Sequence, residues 1–295
     1  MDRYNEKEFI EKYNKTIKRL VDFKESSKNP KVFILGGQPG SGKTKLTNLL
    51  IEKSDEDIIV LNGDEFKKTH PRHKELQKEF GDEAVTKTQE FSGKMTERLI
   101  EELSNKKYNL IIEGTLRTDT IPLNTEKKLK DKDYITELSV IAVKPELSYV
   151  GTLKRYEEML DIGTIPRTTL KEHHDMVVKG ILTNLEKIYE QNKFNNITIY
   201  NREGENLYDM KKVSINPKEV LEKEFARKMT KTEENKYLND LKTVFEKMEK
   251  RNDPKQIEVF ELIEKVKKTI TKINSNPLLK TLKKQKELES KGQGR

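Results

Sequence analysis

One short segment of this chain has the residue types and spacing of a phosphate-binding site. Residues 36–44 are Gly-Gly-Gln-Pro-Gly-Ser-Gly-Lys-Thr and fit the pattern G-x-x-x-x-G-K-[ST]. Glycines let backbone N–H groups turn inward, and the start of the following helix adds its dipole. Lys43 is placed to reach the β- and γ-phosphates of a nucleotide, and the Thr44 hydroxyl to hold Mg²⁺. The predicted phosphate-binding residues are Gly37, Gln38, Pro39, Gly40, Ser41, Gly42 and Lys43.

The segment therefore predicts a nucleoside triphosphate site. A glycine-rich turn between a strand and a helix is the alternative, and the flanking residues disfavour it. An apolar run, Val32-Phe33-Ile34-Leu35, precedes the glycines, and leucines at helical spacing follow them. Phosphate loops serve ATPases, GTPases and kinases alike, so the reaction has to be predicted from other residues.

Two carboxylates follow strand-like segments and could take part in phosphoryl transfer. Residues 57–62 lead into Asp64, and residues 108–113 end at Glu113, with the cation Arg117 shortly after. Parallel strands would bring both acids to the sheet edge where the phosphate loop lies. Asp64 is then the candidate base for an acceptor hydroxyl. An acid after a strand can instead cap a helix, but two acids beside a phosphate loop favour function.

A second source of cations is the segment of residues 155–167. Arg155 and Arg167 bracket a turn that contains Gly163 and Pro166. Such a turn between two helices is typical of a lid that brings guanidinium groups onto bound phosphates. Surface ion pairs are the alternative, since the chain has 59 Lys and Arg residues, and spacing alone does not decide between the two.

Strand-like and helix-like segments alternate through most of the chain, after an amphipathic helix predicted at residues 6–24. The predicted strands are residues 31–36, 57–62, 108–113, 135–143 and 196–201. Alternation of this kind is typical of parallel strands joined by crossover helices. The predicted fold class is therefore α/β, a parallel sheet flanked by helices.

The alternation stops after residue 201. Residues 217–273 are almost entirely helix-forming, and the Lys-rich tail from about residue 275 is predicted to be frayed. We therefore expect a core domain over residues 1–230 and a helical C-terminal extension over residues 231–295.

Composition excludes several classes of function. The chain has 295 residues and no cysteine, which excludes disulfides, a thiol nucleophile and thiolate metal sites. No segment has the about 20 apolar residues that span a bilayer, and no apolar signal core opens the chain, so we expect a cytoplasmic protein without a membrane partner. The net charge of +8 comes from interspersed charges of both signs, which favours a solvated surface over nucleic-acid binding.

Several segments, taken in order, resemble one protein family. They are GGQPGSGKTKL, NGDEFKKTHP, KMTERLI, YNLIIEGTLRT, LKRYEEM, HHDMVV, IYNREG and NPKEVLEKEFARK. With near-constant spacing over about residues 6–230, they resemble the zeta toxins, the toxin half of epsilon–zeta toxin–antitoxin systems of Gram-positive bacteria. Beyond about residue 232 the chain resembles the family only in length and helical character.

The resemblance implies a kinase of the phosphate-loop type. Zeta toxins phosphorylate the 3′-hydroxyl of UDP-N-acetylglucosamine with ATP or GTP and Mg²⁺, and the product blocks peptidoglycan synthesis. The resemblance also implies a small helical epsilon antitoxin as partner, in a heterotetramer of two toxins and two antitoxins. It does not identify the preferred nucleotide.

The resemblance further assigns roles to single residues. It makes Lys43 the phosphate-loop lysine, Thr44 the Mg²⁺ ligand and Asp64 the catalytic base. Arg155 and Arg167 match two arginines that clamp the triphosphate. The implied acceptor-site residues are Asp64, Glu97, Glu113, Arg117 and Thr125. Without the resemblance, Glu97 would be a solvated residue of a predicted helix.

Two departures from the family pattern bear on this site. Asn62 stands where a better-known member has an acid, and the segment from Arg155 to Arg167 is one residue shorter. The alternatives that stay open are a kinase of another acceptor, a regulatory nucleotide-binding module that acts through its helical extension, and a nucleic-acid-binding ATPase. The four histidines, at residues 70, 73, 173 and 174, are not predicted to bind a metal.

Overall fold

The computed structural model describes residues 4–54, 56–164 and 166–275. The chain divides into two compact units, with the boundary between Lys228 and Met229. The predicted frayed tail lies, from residue 276 onwards, outside the described residues.

A six-stranded sheet forms the centre of the first unit. Its strands are β1 (Lys31–Gly36), β2 (Ile58–Asn62), β3 (Asn109–Glu113), β4 (Ile135–Ile141), β5 (Asn196–Tyr200) and β6 (Asn206–Asp209). The order across the sheet is β2-β3-β1-β4-β5-β6, with β1 to β5 parallel and β6 antiparallel to β5. The predicted α/β class with a parallel sheet is confirmed. The four-residue edge strand β6 was not predicted, because it is too short to show an apolar pattern.

Helices connect the strands and follow the sheet. Those of the first unit are α1 (Glu6–Val21), α2 (Lys43–Glu52), α3 (Gly63–Lys67), α4 (His73–Phe80), α5 (Ala84–Lys87), α6 (Gln89–Asn105), α7 (Thr120–Lys130), α8 (Pro145–Asp161), α9 (Lys171–Glu190) and α10 (Pro217–Ala226). Those of the second unit are α11 (Lys231–Lys250) and α12 (Gln256–Ser275). One predicted helix, residues 83–104, is in fact divided into the end of a 3₁₀-helix (Gly81–Glu83), α5 and α6.

The N-terminal helix α1 is part of the core of the first unit. The Asn5 side chain caps it by accepting a hydrogen bond from the Glu8 N–H at 2.9 Å. Phe9 and Tyr13, one turn apart, are buried on the face that meets α6, where Phe91 lies edge-on to Phe9 with ring centroids 5.5 Å apart. Hydrophobic burial of this face holds α1 against the rest of the core.

In the described part of the second unit, α11 and α12 pack against each other. A capping box of Thr230 and Glu233 begins α11. Leu241 and Val244 of α11 are fully buried, and Val259 of α12 is nearly so. Within the described part of the chain, no helix is both long and apolar enough to cross a membrane.

Candidate active site

The predicted phosphate loop forms a tight turn between β1 and α2. Gly40 and Gly42 have φ values of 73° and 99°, in the left-handed region that favours glycine. A Cβ atom on Gly40 would lie 2.0 Å from the Ser148 carbonyl oxygen, so the loop lies directly against α8. The first turn of α2 carries Lys43 and an exposed Thr44. The loop thus lies at the carboxyl edge of the sheet, where parallel sheets bind ligands.

The Lys43 ammonium group is held by backbone carbonyls of the loop itself. Its Nζ donates to Gly37 O at 2.9 Å and to Gln38 O at 3.2 Å. Burial lowers the pKa of Lys43 to about 8, although the carboxylates of Glu113 and Asp64 act in the opposite direction. A phosphate oxygen in the loop would be a stronger partner for this ammonium than the two carbonyls are.

Two polar side chains of the loop are buried: one anchors the loop, and the other fits an anion site. Gln38 Nε2 donates to Val143 O at 2.5 Å, which fastens the loop to the end of β4. The Ser41 Oγ is buried and has no hydrogen-bond partner within the described residues. Since buried hydroxyls are nearly always hydrogen-bonded, this donor fits a loop whose ligand completes its hydrogen bonds.

Arg202 supports the loop, although no sequence motif predicted a role for it. Its guanidinium group donates to the carbonyl oxygens of Gly40, of Ser41 (3.3 Å) and of Leu147 (3.3 Å). A signal was present in the sequence, because Arg202 follows β5 and therefore lies at the same sheet edge as the loop. It also belongs to the IYNREG segment that carries the family resemblance.

Glu113 at the end of β3 lies inside a small polar network. Its carboxylate accepts from Thr47 Oγ1 at 3.0 Å and from Asn62 Nδ2 at 2.8 Å. The parallel register of β2 and β3 pairs Asn62 with Glu113 directly. Burial raises the pKa of Glu113, with Lys43 acting against it. An acid at position 62 would place a second carboxylate here, whereas the asparagine amide donates a hydrogen bond.

Asp64 lies in the first turn of α3, two residues after β2. The Asn62 side chain caps this helix by accepting from the Asp64 N–H at 3.0 Å, and Asp64 Oδ1 pairs with Lys67 Nζ at 2.9 Å. Burial acts to raise the pKa of Asp64, but the cations Lys67, Arg167 and Lys43 outweigh it and hold the pKa below its usual value. The carboxylate is therefore ionised at neutral pH and able to accept a proton.

A cavity that is open to solvent lies beside Asp64. Its walls come from α3, α4, α5, α8 and the segment between α8 and α9. The lining residues are Asp64, Lys67, Lys68, His73, Gln77, Val85, Thr88, Arg155, Pro166, Arg167, Thr168 and Thr169. Four of these are Lys or Arg and only one is acidic, so the cavity suits an anionic ligand.

The two predicted lid arginines reach this cavity from different segments. The Nε atoms of Arg155 and Arg167 are buried and have no hydrogen-bond partner in the described parts of the chain. Arg167 forms an ion pair with Glu65 of α3. Burial lowers the pKa of the Arg155 guanidinium, and the nearby Asp64 carboxylate opposes this effect. The structure thus brings both arginines and the candidate base to one cavity.

The four other predicted acceptor-site residues, Glu97, Glu113, Arg117 and Thr125, lie outside the cavity lining. Glu97 is exposed on α6, and α6 packs beside α3. The adjacent residue Thr96 lies against the start of α3, because its Oγ1 would be 3.5 Å from a Cβ atom added to Gly63. The Thr125 hydroxyl donates to the backbone of its own helix. Arg117 is exposed in the segment after β3. For all four residues the acceptor-site role stays a prediction.

His173 lies close to the site, although the sequence analysis gave it no function. Burial, followed by the positive charges of Arg117 and Lys67, lowers its pKa, and Asp64 acts in the opposite direction. His70, by contrast, is a core residue whose pKa burial lowers to about 4. No group of three or more His, Asp or Glu in the described residues is arranged to hold a metal ion.

Four features together define the class of protein. They are the strand order, the loop after β1, the acid after β2 and the arginines near the cavity. Its fold is of the phosphate-loop kinase type. The model of the zeta toxin family matches residues 15–213. The chain belongs to the zeta toxin family, whose kinase-like members are toxins of toxin–antitoxin systems.

Single relatives agree with the family match. Toxin zeta of Streptococcus pyogenes is 42% identical over 229 residues, which are 77% of this chain and 80% of the relative. Toxin PezT of Streptococcus pneumoniae serotype 4 is 41% identical over 220 residues, which are 74% of this chain and 87% of the relative.

Solved structures agree as well. A structure from the PezAT chromosomal toxin–antitoxin system of Streptococcus pneumoniae is similar with a TM-score of 0.73 and 35% identity, over 84% of this chain and 97% of that one. A structure of the AvrRxo1-ORF1:AvrRxo1-ORF2 complex, with a TM-score of 0.55 and 18% identity over 79% of each chain, shares the fold alone.

Proposed function

We propose that this chain is a toxin kinase that transfers the γ-phosphate of ATP or GTP to the 3′-hydroxyl of UDP-N-acetylglucosamine. The observation that carries the proposal is the position of Asp64. This carboxylate lies at the sheet edge of the phosphate loop and lines a cavity that Arg155 and Arg167 also line. A base, two cations and a phosphate loop in one place are the parts that phosphoryl transfer to a hydroxyl requires.

The backbone N–H groups, Lys43 and Ser41 of the loop suit the phosphates of a donor nucleotide. Loop N–H groups and the Lys43 ammonium would hold the β- and γ-phosphates, and the buried Ser41 hydroxyl would gain a partner. Thr44, exposed in the first turn of α2, would hold Mg²⁺, with nucleotide oxygens and water as further ligands. The ion would neutralise charge on the β- and γ-phosphates when bound.

The transfer itself needs a proton acceptor and stabilisation of negative charge. Asp64 would take the proton of the acceptor hydroxyl as the hydroxyl oxygen bonds to the γ-phosphorus. The bond from that phosphorus to the β–γ bridging oxygen breaks, and the nucleoside diphosphate leaves with the electron pair. Arg155 and Arg167 would stabilise the charge spread over the moving phosphoryl group, as cations do in this reaction.

The acceptor is proposed from the cavity and the family together. A cavity lined by Lys67, Lys68 and two arginines suits an acceptor that carries its own phosphates, as a nucleotide sugar does. Glu113, Arg117, Glu97 and Thr125 are proposed to complete the acceptor site. Phosphorylated UDP-N-acetylglucosamine would then be lost to peptidoglycan synthesis, which is the proposed toxic effect.

We also propose a small helical epsilon-type antitoxin as partner, in a complex of two toxins and two antitoxins. The similar solved structure belongs to a toxin–antitoxin system, which supports a partner of this kind. Light scattering on a mixture with an epsilon-type antitoxin tests it. A mass of two copies of each chain is expected, and a mass of the free toxin alone would contradict the partner.

One labelling experiment tests the reaction. The chain is incubated with γ-labelled ATP or GTP, Mg²⁺ and single candidate acceptors: UDP-N-acetylglucosamine, other nucleotide sugars, free N-acetylglucosamine and nucleosides. Label on UDP-N-acetylglucosamine supports the proposal if Asp64→Asn forms it at least about a hundredfold more slowly and Asp57→Asn, before β2, forms it at the wild-type rate. Label on another acceptor alone would identify a different kinase. Nucleotide binding without transfer to any acceptor would instead favour a regulatory module.

A further inference from the structure

A Ser–His–Asp network, in which Ser148 and His174 are buried and Asp175 is partly exposed, lies outside the candidate active site. Ser148 of α8 has its Oγ 2.8 Å from His174 Nε2, and His174 Nδ1 lies 3.1 Å from Asp175 Oδ1. The order of groups is that of a hydrolase triad. Ser148 is 0% and His174 1% exposed, however, so no substrate reaches this hydroxyl in the structure.

One end of the network lies directly under the phosphate loop. The Ser148 carbonyl oxygen would be 2.0 Å from a Cβ on Gly40, and the Thr152 methyl group would be 2.8 Å from it. Arg202 donates both to Gly40 O and to Leu147 O, which ties the same turn of α8 to the loop a second time. This turn of α8 therefore packs directly against the phosphate loop.

The other end of the network lies at the start of α9. The segment just before α9 contributes Arg167 to the cavity, and His174 is in the first turn of the helix. Lys171 pairs with Asp175 at 2.5 Å and lies 5.5 Å from the centre of the Tyr149 ring. Hydrogen bonds and ring contacts therefore fasten the first turn of α9 to the turn of α8 that supports the loop.

The protonation of His174 is consistent with this arrangement. Burial lowers the pKa of His174, although Asp175 acts in the opposite direction. In the neutral ring, Nδ1–H donates to Asp175 and Nε2 accepts from the Ser148 hydroxyl. That hydroxyl also lies 2.9 Å from Pro145 O, an alternative acceptor within α8.

We propose that Ser148 and His174 are a pair of positioning residues that set the lid arginine Arg167 relative to the phosphate loop. The hydrogen bond between them directly links α9 to the turn of α8 that packs against the phosphate loop. With the link intact, Arg167 is held near the position of the transferred phosphoryl group before nucleotide binds. A lid that is free to shift by about 1 Å loses much of the rate without losing the phosphate loop. The role of Arg167 in transfer rests on the proposed function.

The test uses single and double variants of the full chain. His174→Ala and Ser148→Ala are each expected to lower kcat about tenfold or more, with a smaller change in ATP affinity. The double variant is expected to be no worse than the more damaging single variant, because both remove one interaction. His174→Gln, whose amide can still bond Ser148, is expected to recover part of kcat.

A matched control separates positioning from stability. Val177→Ala removes buried atoms from α9 one turn after His174 without touching a hydrogen bond of the network. It is expected to lower Tm, as His174→Ala does, while kcat stays within about twofold of wild type. A His174→Ala protein that is folded and has wild-type kcat, or singles whose effects multiply in the double variant, would overturn the proposal.

A readout without catalysis keeps this proposal distinct from the proposed function. Trypsin cleaves after arginine, so the rate of cleavage at Arg167 in folded protein reports how firmly the lid segment is held. Faster cleavage is expected for His174→Ala and Ser148→Ala but not for Val177→Ala. If wild type transfers phosphate to no acceptor, the proposed function fails, and the cleavage rates still decide whether the link exists. Equal rates in all four proteins would overturn it.

Discussion

The two sides of the candidate active site are built by different means. The donor side, residues 36–44, is one continuous segment in which backbone groups and two left-handed glycines, Gly40 and Gly42, create the binding surface. The acceptor side consists of side chains from α3, α8 and the segment before α9, held by ion pairs such as Asp64–Lys67 and Arg167–Glu65. Backbone geometry is fixed once the strand and helix form. Ion pairs between partly exposed side chains are weak and exchangeable, so the acceptor side can rearrange around a substrate.

This difference predicts that a change at Asp64 separates catalysis from nucleotide binding. Asp64→Asn removes the proton acceptor but leaves every loop atom in place. The expected result is a fall in kcat of about 10²- to 10⁴-fold with ATP affinity within about threefold of wild type. Steady-state rates with labelled ATP and titration calorimetry measure the two quantities.

Asp57→Asn is the matched control, since Asp57 lies at the opposite end of β2, where it pairs with Lys24 at 3.0 Å. It is expected to keep wild-type kcat. A wild-type rate for Asp64→Asn would remove Asp64 as the base, and an equal loss of ATP affinity would mean that the two sides are not separable.

The converse change is made on the donor side. Gly40→Ala adds a methyl group at φ 73° that overlaps the Ser148 carbonyl, which is backbone and cannot swing away. Strain of about 1–3 kcal/mol at a left-handed position, together with this overlap, is expected to weaken ATP binding about ten- to a hundredfold. Fluorescent nucleotide titration measures the affinity.

Gly81→Ala isolates the backbone strain in this experiment, because Gly81 also has a positive φ, 52°, but nothing lies within 4 Å of the added carbon. It is expected to lower Tm without changing ATP affinity. If Gly40→Ala binds ATP as wild type does, the loop is more adaptable than its backbone geometry indicates, and the contrast between the two sides fails.

The ion pair on Asp64 predicts a change in pH dependence. Lys67 holds the pKa of Asp64 down, so its removal in Lys67→Met moves that pKa upward. Lys67 also lines the proposed acceptor cavity, so kcat is measured at saturating acceptor. The base must be ionised to act, and the acid limb of kcat therefore shifts to higher pH. At a pH in that limb the activity is expected to fall about tenfold below wild type, while the plateau changes by less than about threefold.

Lys68→Met is the matched control for this shift, because the adjacent lysine pairs with Glu65 at 3.4 Å instead. Its acid limb is expected to coincide with that of wild type. Coinciding limbs for wild type and Lys67→Met would show that Lys67 does not act on the base.

The same contrast explains how much could be predicted from the sequence. The loop was predicted because all of its groups are consecutive residues, and the α/β sheet because the apolar runs of β1 to β5 are separated by helical patterns. The sequence did not predict the contacts between residues that are far apart in the chain. These are Arg202 with Gly40, Glu65 with Arg167, and Ser148 with His174. Each of these pairs depends on tertiary positions that no local pattern encodes.

Asn62 shows what the family pattern can predict and what needs the structure. The resemblance identified it as a departure, but its contacts needed the register of β2 and β3, which pairs it with Glu113. In the structure its amide donates to Glu113 while its oxygen caps α3 at Asp64. One side chain thus links two acids of the site.

The smallest effect expected is a pH dependence on the donor side, where Lys43 is the side chain that titrates. Burial holds the pKa of Lys43 at about 8 in the free protein, and a bound phosphate would favour the charged form. Binding therefore takes up a proton near pH 8, and affinity falls as pH rises through this value. Relative to the affinity at low pH, ATP binding is expected to weaken about twofold at pH 8 and about fourfold at pH 8.5.

Calorimetry in buffers of different ionisation enthalpy measures both the affinity and the proton uptake. Lys45→Gln, at an exposed lysine of the same helix, should keep the alkaline weakening and is the matched control. Nucleotide phosphates are fully ionised above about pH 7.5, so a change there belongs to the protein. Constant affinity from pH 7 to 9 without proton uptake would contradict the lowered pKa, and the donor side would then rest on backbone geometry and a permanently charged lysine.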